Sequence, residues 1–201
     1  TGRAQGRQSA GRAAVIAVRA PLTSEKLAAI ERQLDRCVQN EMEAVIFRFE
    51  GAPGESFENY RALARRIVRI AEETPVKMVA YVPAEARGMT MLPVLACGRI
   101  VADDFAQIGQ IVTGDARDPA GLPVDRQVLL NTVVGFAEAG GHDALLARAM
   151  AEPALIVYEI VRNGERRFVD QAGFERLVQV EGAAWRLVGP GPVAVGGEPL
   201  L

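Results

Sequence analysis

Lysine, histidine and serine are scarce in this chain of 201 residues: lysine occurs at Lys26 and Lys77, histidine only at His142, and serine at Ser9, Ser24 and Ser56. Any chemistry that needs a serine beside a histidine or a lysine therefore has few residues to draw on. Cysteine is limited to Cys37 and Cys97. Both lie in apolar helical stretches, where a cysteine reads as a small buried hydrophobe rather than a disulfide partner or a metal ligand. Around His142 the sequence supplies too few ligands for a metal site, and no cofactor is expected. No run approaches the roughly 18 apolar residues that span a bilayer, and no charged-then-apolar signal pattern opens the chain. It begins at Thr1 without a methionine and ends on the apolar "EPLL", so it reads as a mature form or a piece of something longer. An excess of one charge is missing too: the formal net charge is -2, with acidic and basic residues interspersed. Neither nucleic acid nor a membrane surface is expected as a direct partner.

About half of the residues are apolar, enough for one α/β domain with a small appendage. "TGRAQGRQSAGR", residues 1–12, has no period that could build a buried face and reads as a flexible tail. "AAVIAVR" (13–19) is β-branched and strand-like. After "APLT", Leu27, Ile30, Leu34 and Val38 recur at helical spacing behind Thr23 or Ser24 as the N-cap. "EAVIFRF" (43–49) predicts a second strand and "EGAPGES" a tight turn. Phe57, Tyr60, Leu63, Ala64, Ile67 and Ile70 then form one apolar helical stripe. "VKMVAYV" (76–82) predicts a third strand, and residues 88–98 a third helix, with Pro93 kinking it or sitting in its first turn. "RIVAD" and "AQIGQIV" read as short strands. The alternation calls for right-handed parallel crossovers, hence a parallel sheet flanked by helices.

Residues 13–152 are expected to hold this core and 153–201 an accessory element. "VDRQVLLNTVVGFAEA" predicts a helix ended by Gly140 and Gly141, and "DALLARAMAE" another. "ALIVYEIVRNGERRFVD" alternates around a central "NG", the signature of a hairpin. "QAGFERLV" reads as a short helix, and the remainder as an irregular last strand.

In their order, "VIAVRAPLTSEKLAAIERQLDRCVQNEMEAVIFRFEGAPGESFENYRALARRI", "TPVKMVAYV" and "LACGRIVADDFAQIGQI" resemble the ClpP/crotonase superfamily, and within it the membrane-bound NfeD- and SppA-like serine peptidases. The resemblance covers roughly residues 13–135. It implies a sheet built from ββα units with helices on its faces. The family's nucleophilic serine falls on Met89, a thioether that cannot be deprotonated to attack a carbonyl. Thr90 is the substitute hydroxyl, rotated about 100 degrees around the helix. The lysine base of the NfeD type falls within "DRQVLLNTVV", where the plausible registers offer Arg126, Gln127 and Val128; arginine stays protonated and cannot accept a proton. The oxyanion turn keeps Pro53 and Gly54 but carries Glu55 at its second glycine, and the amide of Gly88 is the other candidate donor.

The reading this favours is a peptidase-like domain that has lost peptide-bond chemistry and acts as a binding or assembly module. The alternatives are an active serine-peptidase relative using Thr90, or borrowing groups from a neighbouring subunit, and a crotonase-type acyl-CoA enzyme, which needs only two polarising amides. The resemblance also implies a homo-oligomer, a peptide or protein ligand, and an extracytoplasmic domain tethered to a membrane through a segment outside this chain. Other features read as structure. Met89, Met91 and Leu92 are packing residues, Asp103 and Asp104 a solvated strand-end pair, Arg61, Arg65, Arg66 and Arg69 a solvated helix face, and "GERRF" a charged hairpin tip.

Overall fold

A computed structural model describes residues 11–50, 56–111, 116–118, 120–181, 184–189, 192–195 and 199–200. Most of the expected tail and the turn carrying Pro53, Gly54 and Glu55 lie outside the described residues.

Strand β1 (Ala13–Arg19) leads into helix α1 (Ser24–Gln39), whose N-cap Thr23 accepts a hydrogen bond from the Lys26 amide. Strand β2 (Ala44–Glu50), helix α2 (Phe57–Glu73) and strand β3 (Lys77–Val82) follow. All six residues of the α2 stripe are buried. A short strand, β4 (Glu85–Arg87), precedes a single 3-10 turn at Gly88–Thr90, helix α3 (Met91–Leu95) and strand β5 (Arg99–Ala102). Pro93 sits in the first turn of α3, where its missing N–H has no intrahelical acceptor to lose.

The first sheet has the order β1-β2-β3-β5 and its pairs are parallel. Its register aligns Ile16, Phe47, Ala80 and Ile100 across the strands, and Val15, Ile46, Val79 and Arg99 on the adjacent row. Because side chains alternate along a strand, those rows face opposite ways. The first faces the core under the helices, with Phe47 and Ala80 fully buried. The second borders solvent, with Val15 66% exposed and Val101 43% exposed. The helices therefore gather on one face, as expected when right-handed crossovers join strands in sequential order.

Strand β6 (Gln107–Gly109) does not extend this sheet. It pairs parallel with β4 and antiparallel with β11 (Pro199–Leu200) in a second, small sheet. Sequence pattern assigns residues 85–87 to no element, because "EAR" carries no β-branched residue and its partner strand lies some twenty residues further on.

Helix α4 (Arg126–Ala139) starts at Asp125, which caps the Gln127 and Val128 amides, and α5 (Ala144–Ala149) starts at Asp143 in the same manner. Strands β7 (Ile156–Arg162) and β8 (Glu165–Asp170) form the hairpin around Asn163 and Gly164. Both turn residues have positive φ, which that dipeptide tolerates. Helix α6 (Gln171–Glu181) is longer than the sequence suggests, and β9 (Arg186–Leu187) and β10 (Ala194–Val195) both pair with β7. A second apolar cluster of Ala149, Val157 and Ala194 joins this part to α5.

Candidate functional site

The strand-to-helix turn after β4 is held from both sides. Gly88 has φ +61, a left-handed conformation that favours glycine. Its amide donates to the Gln110 carbonyl at 3.2 Å. Arg87 fastens the same corner, bonding Glu85 through Nε and Nη2 and the Gln110 side chain through Nη1 at 3.2 Å. The Gly88 N–H is thus engaged in the backbone and is not presented to a ligand.

Met89 is completely buried and Thr90 is 6% exposed. The Thr90 hydroxyl has no hydrogen-bond partner of good geometry, and neither has the buried hydroxyl of Tyr60 on α2. The two lie close enough to affect each other. Burial raises the Tyr60 phenol above its ordinary range, and the neighbouring Thr90 hydroxyl and Leu22 backbone offset only part of that rise. At any ordinary pH Tyr60 is therefore a protonated donor, unable to take a proton from Thr90. Among the described residues no charged side chain and no histidine is fully buried.

The three positions aligned with a lysine base are not brought to this point. Arg126 reaches outward to Glu152 at 3.8 Å, the Gln127 amide donates to Asn131 at 2.8 Å, and Val128 is 45% exposed. The inward side of α4 is Leu129, Leu130 and Val133. Asp103 accepts the Tyr81 hydroxyl at 3.0 Å, and that bond raises the Tyr81 phenol. Among the described residues no group of three or more histidine, cysteine, aspartate or glutamate side chains is placed to hold a metal ion.

Two structural partners escape the sequence reading. Tyr60 counts there only as one more apolar stripe residue, although a tyrosine in a fully buried stripe carries a hydroxyl that must go somewhere. The capture of the Gly88 amide by Gln110 depends on pairing between β4 and β6, which no local pattern announces.

No protein-family profile matches the chain, and no curated protein does. Among solved structures, a mutant of the 1510-N membrane-bound stomatin-specific protease superposes with a TM-score of 0.59 at 17% identity, covering 70% of each chain. A second mutant of that protease, in complex with a substrate peptide, gives a TM-score of 0.56 at 14% identity, covering 86% of this chain and 73% of the other. Methylmalonyl-CoA decarboxylase complexed with 2S-carboxypropyl-CoA matches more loosely, with a TM-score of 0.43 at 13% identity over 53% of this chain and 49% of the other. The chain has the ClpP/crotonase-like fold, which it shares with that protease. No helix among the described residues is long and apolar enough to cross a membrane.

Proposed function

We propose that this domain binds peptide or protein segments without cleaving them, as an oligomeric module on a peptidase-like scaffold. The observation that carries the proposal is the pairing of an inert, fully buried Met89 with a Thr90 hydroxyl whose neighbour on α2, Tyr60, is a protonated phenol. Acyl transfer needs a nucleophile and a base to receive its proton. Here the sulfur cannot supply the first, and among the described residues no fully buried charged side chain or histidine is available to serve the second. The engaged Gly88 amide removes one donor that could polarise a carbonyl, which also weighs against thioester chemistry.

The test is incubation of the purified protein with a fluorophosphonate probe and with an unstructured casein substrate. The expected outcome is neither labelling nor cleavage, in the native chain and in Met89→Ser alike, because a restored hydroxyl still lacks a base. Time-dependent labelling that disappears in Thr90→Ala would establish an active peptidase instead. Calorimetric heat with a CoA thioester at millimolar concentration would point to the acyl-CoA branch.

A further inference from the structure

A cavity of about 510 Å³ lies where the core meets the accessory hairpin. Its body is apolar, with Ile100, Ile108, Leu146 and Phe168 among the walls. Its polar groups are Asp103 and Asp104 after β5, and His142 and Asp143 before α5. No lysine or arginine lines it.

The three carboxylates each offer an acceptor. The Cys97 carbonyl lies 2.7 Å from His142 Nε2 and can only accept, so Nε2 carries a hydrogen and the ring is fixed against the end of α3. Asp143 uses one oxygen to cap Leu145 and Leu146, leaving the other. Asp103 receives only the Tyr81 hydroxyl, and Asp104 is exposed, without a partner among the described residues. Between Asp104 and Ala106, which both line the cavity, Phe105 stands 96% exposed. A phenylalanine held in water at the rim of an apolar, acceptor-lined cavity is an unspent contact surface for an aliphatic group or for the face of a cation.

We propose that this cavity is the docking site for a peptide segment in which an arginine or lysine is flanked by apolar residues. The basic head meets Asp104 with Asp103 and Asp143, the apolar neighbours fill the space between Ile108 and Phe168, and Phe105 closes over the cationic side chain. The inference rests on the peptide-binding reading above and places the ligand's charge where that reading leaves it open.

Fluorescence anisotropy on the full chain tests it, using a labelled hexapeptide of leucine and arginine, the same peptide with glutamate for arginine, and unlabelled hexylamine as competitor. The basic peptide is expected to bind, more weakly as salt rises, and the acidic one not at all. Asp104→Lys is expected to weaken the basic peptide about tenfold or more, and Phe105→Ser to weaken it as well; both positions are exposed, so folding, checked by circular dichroism, is preserved. Competition by hexylamine against the basic peptide would support the shared chemistry. Binding of either peptide that ignores both charge and Asp104→Lys would overturn the cavity while leaving a peptide-binding module in place. Absence of binding by both peptides, with hexylamine still shifting the amide resonances of Asp104 and Ala106, would overturn the peptide occupant and the functional reading together.

Discussion

Gly140 illustrates how one position can carry a meaning invisible in its neighbourhood. The adjoining Gly141 has φ +75 and is the left-handed residue that ends α4, as the double glycine predicts. Gly140 has an ordinary φ of -79, yet a Cβ there would stand 2.1 Å from the Leu95 carbonyl oxygen and 2.9 Å from that of Cys97. Gly140→Ala is therefore expected to cost about 1–3 kcal/mol or more, through overpacking of backbone that cannot step aside, whereas Gly135→Ala, which meets nothing within 4 Å, should be neutral or stabilising; urea unfolding of the two variants checks the contrast. Thr90 gives a prediction of opposite sign. Its hydroxyl is buried and unpartnered, so Thr90→Val should leave stability unchanged or raise it by about 1 kcal/mol, while a loss of 2 kcal/mol or more in the same measurement would mean the hydroxyl does form a bond. Cys97 is buried and its thiol is pushed far above its ordinary range by desolvation, with Cys37 raised in the same direction. A raised pKa means the folded chain keeps a proton that the unfolded chain gives up. This contribution is intact below the unfolded thiol's pKa and is lost as pH rises above about 8.5, by at most about 1.4 kcal/mol per pH unit per thiol. Cys97→Ala should flatten that alkaline decline in a series of denaturation curves.

At the scale of elements, α1, α2 and α4 were legible because each repeats its apolar residues every three or four positions, and α1 and α4 also carry a capping side chain at their start. Asp125 accepts from the amides of Gln127 and Val128 at 2.9 and 3.1 Å. Replacing it with alanine is expected to cost about 1 kcal/mol, seen as a lower Tm. The strands of the first sheet were legible as apolar runs, but a run does not say which of its faces is covered. Ile16 and Val15 look alike in sequence, while one is 2% and the other 66% exposed. Ile16→Ala should cost about 2–5 kcal/mol and Val15→Thr well under about 1 kcal/mol, a difference that chemical denaturation resolves easily. Strand β4 was missed since three residues without β-branching are held by pairing with β6, and the same pairing takes β6 into a sheet of its own.

For the molecule as a whole, the superposition on a protease extends beyond the stretch that carries the sequence resemblance, while the positions that the resemblance assigns to nucleophile and base hold Met89 and one of Arg126, Gln127 and Val128. A scaffold is maintained by burial of a shared core, which tolerates exchange among apolar residues of similar volume. Catalysis depends on a few groups of fixed chemistry and tolerates almost none. The proposal of an oligomer belongs at this scale. Sedimentation velocity at micromolar concentration should show a single species heavier than the 21.6 kDa chain, and a monomer throughout would remove assembly from the proposed role.

Residue identities alone determined that Met89 cannot attack a carbonyl, that arginine cannot replace a lysine base, and that strand and helix alternate through the first half of the chain, because these follow from side-chain chemistry and local periodicity. Only the tertiary structure decided that Tyr60 meets Thr90, that Gln110 occupies the Gly88 amide, that Arg126, Gln127 and Val128 turn outward, and that an acceptor-lined cavity opens beside Phe105. Each of those facts joins segments distant in the chain, and the packing of one core places them together or apart.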